Sequence, residues 1–316
     1  MKITVILCTY NRCQSLKKAL ESVAASILPP SVEWDVLVVD NNSNDQTRSE
    51  IQEFCQRYPG RFCCLFEKQA GKSFALNAGI REARGDVVAF MDDDVTVDPL
   101  WLQNLTTPLN DGQWAGTGGR IRPEKDFSPP DWMLLEGDHS LGPALAAVFD
   151  MGDEPCELSR APYGTNMAFR KSMFEKYGGF RTDLGPRPGG EIRGEDVEFG
   201  RRLLAAGEHL YYAPSAVVYH AVPEARLRKE FFLAYWFAYG RTLVRERGSR
   251  PGKWGIPRYY FSTAKLGLHA MRWILTWHPG ERFFYKCQAW MAAGRVAENY
   301  SQSREVDHDN PRAVAH

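Results

Sequence analysis

The amino-acid sequence predicts an α/β fold with a mostly parallel central sheet flanked by helices and with a C-terminal α-helical extension. Short apolar segments alternate with segments of helical period through residues 1–98, as in parallel strands joined by right-handed crossovers. Hydrophobic residues make up 44% and charged residues 25% of the 316 residues, ordinary values for a globular protein with a sizeable core. This composition excludes disordered and collagen-like proteins.

The predicted elements of the first part follow one another at a regular rhythm. The first strand is a β-branched run suited to burial on both faces, and the next segment has apolar residues at positions 16, 19, 20 and 23, which is helical spacing. In chain order, the predicted strands are Ile3–Cys8, Trp34–Val39, Phe62–Phe66 and Val87–Met91, and the predicted helices are Ser15–Ala25, Gln46–Tyr58 and Ser73–Ala83.

The formal net charge is zero, but the charges are unevenly distributed. From Ala225 onward there are 16 Lys and Arg, 7 Asp and Glu, and 17 aromatic residues. An amphipathic helix is predicted here by apolar residues that recur every four positions, at Leu227, Phe231, Tyr235, Tyr239 and Leu243. We therefore expect two domains, 1–222 and 223–316, the second of which either packs on the first or rests on an anionic membrane surface.

Cysteine usage and the lack of a leader favour the cytoplasm. The seven cysteines are odd in number and have no Cys-x-x-Cys spacing, which argues against a zinc site or a disulfide framework. The first predicted strand begins almost at Met1, and the apolar run Phe231–Tyr239 is shorter than the ~20 residues that a spanning helix needs. A cytoplasmic protein, at most peripheral at the inner face of the cell membrane, is expected.

Polar residues follow three of the predicted strands. Thr9, Asn11 and Arg12 follow the first, residues 40–42 (Asp-Asn-Asn) the second, and residues 92–94 (Asp-Asp-Asp) the fourth. In open α/β sheets, ligands bind beyond the carboxyl ends of the strands. The sequence therefore predicts a polar crevice along this edge of the sheet.

The three adjacent aspartates suggest a cation. Neighbouring carboxylates raise each other's pKa unless a cation or hydrogen-bond donors compensate. At a strand end, Asp92 and Asp94 point the same way and can share a target, whereas Asp93 faces elsewhere. Carboxylate oxygens suit Mg²⁺ or Mn²⁺. The alternative is a solvated acidic turn or a helix cap.

Six segments together resemble family 2 of the nucleotide-sugar-dependent glycosyltransferases, which have the Rossmann-like GT-A fold. The resemblance covers roughly residues 1–222 and implies a nucleotide-sugar half at 1–98 and an acceptor half at 99–222. The segments that carry it are Val5-Ile6-Leu7-Cys8-Thr9-Tyr10-Asn11-Arg12, Val38-Val39-Asp40-Asn41-Asn42-Ser43-Asn44-Asp45, Gly71-Lys72-Ser73 through Asn77-Ala78-Gly79-Ile80, Phe90-Met91-Asp92-Asp93-Asp94, Gly164-Thr165-Asn166-Met167-Ala168-Phe169 and Gly194-Glu195-Asp196-Val197-Glu198-Phe199.

The resemblance implies a set of residues that bind the nucleotide sugar. These residues are Thr9, Tyr10, Arg12, Asp40, Asn42, Lys72, Asn77, Asp92 and Asp93. Asp40 would accept a hydrogen bond from the base or the ribose, although the same residues also suit a turn or a helix cap. The segment around Lys72 is not a phosphate loop, because Phe66 stands where that motif needs its first glycine.

The resemblance also implies a metal site and a catalytic base. Asp94 and His220 would hold Mn²⁺ or Mg²⁺, although a lone histidine is more often structural. Asp196 would take the proton of the acceptor hydroxyl, with Glu195 as its neighbour or as a contact to the acceptor. Without the resemblance, these two carboxylates are more typical of the charge preference at a helix N-terminus.

Two segments are expected to contact the acceptor or to move. Asn166 lies where the family's Gly-x-Asn segment approaches the acceptor. The long segment Arg122–Pro162, with Trp132, is either an acceptor wall or an ordinary surface loop. Pro186-Arg187-Pro188-Gly189-Gly190 has the residues of a lid that closes over bound donor.

The resemblance thus implies a metal-dependent, inverting hexosyltransferase of polysaccharide biosynthesis. It would move a sugar from a nucleotide diphosphate, with UDP favoured, to a glycan or a lipid-linked acceptor, and it would not bind nucleic acid. Two alternatives stay open. Residues 92–96 (Asp-Asp-Asp-Val-Thr) fit the motif of haloacid-dehalogenase-like phosphohydrolases, whose motif normally follows the first strand, and the chain could also be a non-catalytic nucleotide-sugar binder.

Overall fold

The computed structural model describes residues 1–124, 128–190, 192–247 and 258–308, with side chains except at 258–259 and 303–308. The chain divides into two compact units. The sheet unit comprises Met1–Asp126, Ala146–Gly190 and Glu195–Val222, and the helical unit comprises Phe127–Leu145, Glu191–Gly194 and Pro223–His316. Two short segments that precede residue 222 in the sequence therefore belong to the helical unit.

The sheet unit is built on one sheet of nine strands among the described residues. Their order is β3-β2-β1-β4-β8-β6-β9-β5, with β7 also paired to β9. The strands are β1 (Lys2–Thr9), β2 (Glu33–Asp40), β3 (Phe62–Phe66), β4 (Val87–Asp92), β5 (Val95–Val97), β6 (Gly116–Pro123), β7 (Cys156–Glu157), β8 (Asn166–Arg170) and β9 (Leu210–His220).

Helices connect and flank these strands, and three more form the helical unit. The helices of the sheet unit are α1 (Cys13–Ala24), α2 (Thr47–Arg57), α3 (Lys72–Glu82), α4 (Trp101–Thr106), α6 (Lys171–Tyr177) and α7 (Glu195–Ala205). Those of the helical unit, after the short α5 (Gly142–Ala146), are α8 (Lys229–Arg247), α9 (Arg258–Leu275) and α10 (Pro279–His308).

The four strands predicted from the sequence form the parallel part of the sheet. They are confirmed to within one or two residues at each end, as are the three helices between them. The apolar runs of β1 and β4, in the middle of this parallel part, are buried on both faces, whereas β3 at the edge of the sheet exposes Cys64 and Phe66. The register places Thr9 opposite Asp40 and Cys8 opposite Asp92, so the polar residues after these strands meet at one edge.

The rest of the sheet is mixed rather than parallel. β8 runs antiparallel to β4 and β6, and β5 runs antiparallel to β9, whereas β6 and β9 are parallel. β6 begins with Gly-Thr-Gly-Gly at 116–119, a segment with little strand propensity of its own. Its glycines are required by close contacts: a Cβ at Gly119 would collide with the side chain of Asn166.

Aromatic side chains fill the core beneath the acidic end of β4. Phe174 stacks on Phe199 with ring centroids 4.4 Å apart, and Phe90, Phe169 and Phe180 pack around this pair at angles typical of edge-to-face contacts. All five are buried. This cluster fixes helix α7, which carries Glu195 and Asp196, against the sheet.

The helical unit is held by close backbone contacts. A Cβ at Gly240 of α8 would collide with the carbonyl oxygen of Met291 in α10, and one at Gly294 would collide with that of Phe237. The buried residues of α8 are Phe232, Ala238, Gly240, Thr242 and Leu243. The predicted helix is present as α8, but Leu243 is the one residue of its predicted apolar stripe that is buried. The small residues of α8 allow α8 and α10 to approach each other along a different face.

The predicted break at residues 276–280 separates α9 from α10, which starts with proline at its first position. None of the helices in the described ranges is both long and apolar enough to cross a bilayer.

Candidate active site

Side chains link the loops that follow β1 and β2 to each other. The hydroxyl of Ser43 accepts a hydrogen bond from the Asn11 amide at 3.0 Å, and the Asn11 side-chain oxygen accepts one from the Asn44 amide at 2.8 Å. Asn11 and Asn42 both have positive φ, 52° and 67°, a region that asparagine enters more readily than most residues. Asn42 and Tyr10 are exposed at this edge, whereas Thr9 is buried.

Asp40 lies at the bottom of this edge with only 1% of its surface exposed. Its Oδ1 accepts a hydrogen bond from the Ser43 amide at 2.9 Å. Its Oδ2 is buried and has no hydrogen-bond partner among the described residues, and the nearest cationic atom is Arg48 Nε at 3.8 Å. A buried carboxylate oxygen without a donor is costly unless a ligand supplies one.

Asp92 ends β4 and is held on both oxygens. Its Oδ1 accepts a hydrogen bond from Lys72 Nζ, and its Oδ2 accepts one from the Thr165 hydroxyl at 2.8 Å. Burial alone would raise the pKa of Asp92, but the charge and hydrogen bond of Lys72 lower it well below its usual range. Asp92 is therefore a carboxylate at neutral pH.

Asp94 faces His220, which is 4% exposed. Asp94 Oδ1 lies 3.6 Å from His220 Nε2. The pairing of β5 with β9 produces this approach, because Val95 is the register partner of His220. His220 Nδ1 lies 2.9 Å from the carbonyl oxygen of Ala221, a hydrogen bond that assigns the proton to Nδ1 and leaves Nε2 in the metal-binding form.

Asp92, Asp94 and His220 form a cluster whose three ligand atoms lie within 4.8 Å of one another. Two carboxylates and one imidazole are a donor set that suits Mn²⁺, and Mg²⁺ accepts the carboxylates. The described residues thus fit a divalent cation. The prediction that Asp92 and Asp94 share a target agrees with this geometry, which also adds Asp92 to the two ligands named from the sequence.

Arg12 covers the outer side of the acidic triplet. Its Nη1 donates to Asp94 Oδ2 at 2.6 Å and to Asp93 Oδ1 at 3.4 Å. Burial raises the pKa of Asp93 to about 7 despite the opposing charge of Arg12. Asp93 and Asp94 lie in the turn between β4 and β5, and the same nitrogen of Arg12 contacts both of them.

Asp196 and Glu195 begin helix α7. Asp196 Oδ2 accepts a hydrogen bond from the Gly164 amide at 2.5 Å, and a Cβ at position 164 would lie only 3.0 Å from that oxygen. Glu195 is buried, and its Oε2 has no hydrogen-bond partner among the described residues. Burial, with the charge of Asp196, raises the pKa of Glu195 to about 7, although Lys72 opposes the shift.

Consecutive residues hold the two acidic centres. Gly164 binds Asp196 and Thr165 binds Asp92, so both carboxylates are fixed by residues whose Cα atoms are about 3.8 Å apart. Lys72 lies within the electrostatic reach of both, because Asp92, Glu195 and Asp196 all raise its pKa against the effect of burial. The site therefore has a cluster of two carboxylates and an imidazole that fits a divalent cation, and a further carboxylate close beside it.

Two asparagines named from the sequence as binding residues form hydrogen bonds inside the protein. Asn166 is completely buried, and its amide bonds Trp101 Nε1 and the carbonyl oxygens of Arg120 and Ala216. The Asn77 amide bonds both backbone groups of Phe180. These two side chains hold the backbone in place, and the structure does not turn them towards a ligand.

Trp132 lies in the helical unit. Its ring packs edge-on against Phe232 and Phe283, with centroids 5.6 and 4.7 Å apart. Its contact with an acceptor stays a prediction. Of the long segment predicted as an acceptor wall, residues 125–127 lie outside the described residues.

Sequence reasoning named the Gly164-Thr165 segment without a role for either residue, and it gave Asn41 no role beyond a turn. Asn41 is buried and joins the end of β2 to the loop before α3, donating to Glu67 and Gln69 and accepting from the Gly71 amide at 2.8 Å. In the lid segment, Pro186 accepts a hydrogen bond from the Lys72 amide at 2.9 Å. In the sequence, the family motifs were the one indication that these residues have a role.

Comparison with known families agrees with this geometry. The family model described as "Glycosyl transferase family 2" matches residues 4–178, and one described as "Glycosyl transferase family group 2" matches residues 155–296. This chain belongs to glycosyltransferase family 2.

Two named relatives of this glycosyltransferase have the same sequence identity to it. A glucosyl-dolichyl phosphate glucuronosyltransferase of Haloferax volcanii is 28% identical over 255 residues, 77% of each chain. The succinoglycan biosynthesis protein ExoM of Rhizobium meliloti is 28% identical over 243 residues, 77% of this chain and 74% of its own.

Solved structures share the fold. The mannosyltransferase PcManGT of Pyrobaculum calidifontis, determined with GDP-Man and Mn²⁺, superposes with a TM-score of 0.65 at 20% identity, over 95% of this chain and 87% of its own. TarS 1–349 of S. aureus, determined with UDP, gives a TM-score of 0.51 at 15% identity, over 96% and 92%. The predicted GT-A fold with helices at its C-terminal end is confirmed. The phosphohydrolase alternative is not favoured, since the aspartate triplet follows the fourth strand rather than the first.

Proposed function

We propose that this glycosyltransferase transfers a sugar, with inversion, from a nucleotide diphosphate to a hydroxyl group. The observation that carries the proposal is the pair of consecutive residues, Gly164 and Thr165, that hold Asp196 and Asp92. One carboxylate belongs to the metal-binding cluster, and the other is placed to act on an incoming hydroxyl. A non-catalytic nucleotide-sugar binder would need the metal-binding carboxylates but not Asp196 as a base, so substitution of Asp196 separates the two functions.

The donor nucleotide is proposed to be bound at Asp40, and UDP is favoured. Asp40 Oδ1 is occupied by the Ser43 amide, so only Oδ2 remains for a ligand. Uracil presents a single N–H on its pairing edge, whereas guanine presents an N–H and an amino group that together suit both oxygens of a carboxylate. UDP is bound in the TarS structure and GDP-Man in the PcManGT structure, so the fold itself accepts either base.

The diphosphate of the donor is proposed to lie at Asp92, Asp94 and His220. A divalent cation, Mn²⁺ or Mg²⁺, would be held by these three residues and would supply neutralisation of the charge that develops on the leaving diphosphate. Lys72 and Arg12 keep the carboxylates ionised and oriented by direct ion pairs. In the PcManGT structure, Mn²⁺ is bound together with GDP-Man.

Asp196 is proposed as the base. The Gly164 amide holds Oδ2, which would leave Oδ1 to accept the proton of the acceptor hydroxyl. The acceptor oxygen attacks the anomeric carbon as the bond from that carbon to the diphosphate oxygen breaks. The electron pair leaves with the diphosphate, the acceptor proton passes to Asp196, and the configuration at the anomeric carbon inverts. Glu195 lies directly beside the base as a buried neighbour.

The acceptor is proposed to be a glycan or a lipid-linked sugar, and the helical unit is proposed to contact an anionic membrane. The relatives include a dolichyl phosphate enzyme and a succinoglycan protein, which represent the two acceptor classes. On α9, exposed apolar side chains are bordered by Lys265 and Arg272, and the helix has no acidic residue. Such a surface suits peripheral binding to anionic lipid.

The catalytic assignment is tested with two substitutions. We expect Asp196→Asn to lose ~10²–10⁴ in kcat while it still binds the donor, the range that general-base catalysis contributes. We expect Asp94→Asn to lose the effect of Mn²⁺ on donor affinity. A calorimetric titration with UDP-, GDP- and dTDP-sugars, with and without Mn²⁺, measures binding, and product formation measures turnover.

Glu198→Gln is the matched control for Asp196→Asn. It removes a carboxylate from the same helix that is paired with Arg202 and not with the site. We expect its turnover to stay near that of the native chain. Normal turnover of Asp196→Asn would move the base elsewhere, and release of phosphate from a simple ester without a sugar nucleotide would favour the phosphohydrolase.

A further inference from the structure

A cavity of about 150 Å³ lies between α8, α9 and α10 of the helical unit. Three cationic side chains line it, Arg247, Lys265 and Arg295, and so do three apolar ones, Leu243, Val244 and Phe261. No acidic residue is among the described lining residues. Since one water occupies about 30 Å³ of liquid, the cavity has room for several waters or for one small anionic group.

Within the part of the chain that the structure describes, no carboxylate forms an ion pair with Arg247, Lys265 or Arg295. The buried acid of α10 in this region is Glu298, and its two oxygens accept hydrogen bonds from Arg241 at 2.9 Å and Arg245 at 2.5 Å. Arg295 Nε is buried and has no hydrogen-bond partner among the described residues. Burial, with the charge of Arg247, lowers the pKa of Arg295. Like charges gathered in this way indicate that an anion belongs between them.

The apolar residues beside the cavity indicate which class of anion it binds. Phe261 begins an exposed apolar line on α9 that continues at Leu268 and Leu275, seven and fourteen residues further, on the same face of the helix. The cavity is therefore continuous along α9 with a surface on which a hydrocarbon chain can lie. Guanidinium groups bind phosphate oxygens in pairs, and an ammonium group adds a point charge.

We propose that this cavity binds the phosphate group of a membrane lipid, with the acyl or isoprenoid chain along the exposed face of α9. The site belongs wholly to the helical unit and contains none of the residues of the proposed active site. This inference rests on the proposed contact with an anionic membrane and names the group that the helical unit recognises there.

The first experiment uses soluble probes and the full chain. Calorimetric titrations with hexyl phosphate and with inorganic phosphate compare the native chain with the double variant Arg247→Gln/Lys265→Gln. Both side chains are exposed at the cavity, so glutamine does not disturb the packing of the helices. We expect hexyl phosphate to bind at least tenfold more tightly than inorganic phosphate, and the double variant to lose at least tenfold for both.

The matched control is Arg272→Gln. Arg272 is an exposed cation of the same helix and does not line the cavity. We expect its affinity for hexyl phosphate to change by less than twofold. Equal losses in the control and the double variant would show general attraction to a basic surface and would overturn the site. Thermal unfolding of each variant checks that the fold is retained.

The second experiment identifies the source of the phosphate. Vesicles of phosphatidylcholine that contain phosphatidic acid, which exposes a phosphate monoester, are compared with vesicles brought to equal charge with phosphatidylserine. The proposal is supported if more of the native chain and of Arg272→Gln sediments with the phosphatidic acid vesicles than with the phosphatidylserine vesicles, and if the double variant shows no such preference. Binding of inorganic phosphate as tight as that of hexyl phosphate, without preference for either vesicle, would overturn the lipid as the source.

These experiments distinguish a failure of the lipid site from a failure of the proposed catalytic activity. If Asp196→Asn keeps full turnover while the cavity still selects phosphatidic acid, the catalytic assignment fails and the lipid site stands. If no vesicle binds the native chain while sugar transfer follows the predicted pattern, the membrane contact and the lipid site fail and the catalytic assignment stands.

Discussion

The two units differ in how their polar side chains are paired. In the sheet unit, hydrogen bonds fix Asp92 on each oxygen and Asn166 through three partners, whereas Asp40 Oδ2 and Glu195 Oε2 are buried without a partner among the described residues. In the helical unit, α8 and α10 contact each other through backbone at Gly240 and Gly294, and cations outnumber the carboxylates around the cavity.

This difference agrees with the tasks proposed for the two units. Hydrogen bonds to both oxygens of a carboxylate fix its position, and fixed carboxylates are what a metal site and a base require. Close helix packing leaves the outer face of α9 apolar and basic, which suits contact with a surface rather than with one reacting atom. The following substitutions test whether each unit depends on the feature assigned to it.

The largest effect is expected from Asn166→Ala in the sheet unit. The substitution leaves Trp101 Nε1 and the carbonyl oxygens of Arg120 and Ala216 without their side-chain partner inside the core. Each buried polar group that loses its partner costs ~1–3 kcal/mol, so we expect a loss of about 3–5 kcal/mol in the free energy of unfolding. Chemical denaturation followed by circular dichroism measures it.

Asn104→Ala is the matched control for this prediction. The Asn104 amide also donates to a carbonyl of β9, that of Ser215, but near the surface. We expect it to cost no more than about 1 kcal/mol. If Asn166→Ala kept its stability and instead lost only affinity for the acceptor, the role named from the sequence would be right and the structural role wrong.

A smaller effect is expected from Gly240→Ala in the helical unit. The added methyl group would meet the Met291 carbonyl, and the backbones of α8 and α10 would have to separate. Forced overpacking of this kind costs ~1–3 kcal/mol. Differential scanning calorimetry should show a lower Tm for the helical unit, with the sheet unit unchanged.

Gly267→Ala is the same substitution at a position where we expect the stability to rise instead of fall. A Cβ at Gly267 of α9 would meet nothing within 4 Å, so alanine improves the helix by ~0.5–1 kcal/mol. A gain at Gly267 together with a loss at Gly240 isolates backbone contact as the cause. Equal effects at both positions would contradict close packing as the feature that holds α8 to α10.

The strands that sequence reasoning predicted are those with continuous apolar runs. β1 and β4 are buried on both faces, which gives them a strong local signal. β5 has three residues and β6 begins with small ones, so neither has such a signal. Their places depend on partners far along the chain, because β5 exists only through its pairing with β9.

The candidate site was predictable in its residue types but not in its contacts. The motif order identified the aspartates, but Asp93 and Asp94 lie in the turn after β4, where the alternation of side chains along a strand does not apply. The meeting of Asp94 with His220 depends on the register of β5, which no local pattern encodes. The motif also marked Asn77 and Asn166 as important but could not tell that their amides bond the backbone inside the protein.

The smallest effect concerns Glu195, a buried carboxyl group whose Oε2 has no hydrogen-bond partner among the described residues. Glu195 has a pKa of about 7, raised chiefly by burial, so it binds a proton in the folded state that the unfolded chain, with a pKa near 4.5, has already lost. Its contribution to stability is complete below pH 4.5 and falls as the pH rises to 7. Glu195→Gln removes this fall.

We therefore expect Glu195→Gln to gain stability relative to the native chain on going from pH 5 to pH 8, by an amount on the order of 1 kcal/mol. Urea denaturation at the two pH values measures the difference. Glu198→Gln removes a carboxylate of the same helix that Arg202 neutralises, and it should lose stability at both pH values. A pH-independent difference for Glu195→Gln would mean that Lys72 neutralises Glu195 as fully as it neutralises Asp92, and that burial does not disfavour the ionised form of Glu195.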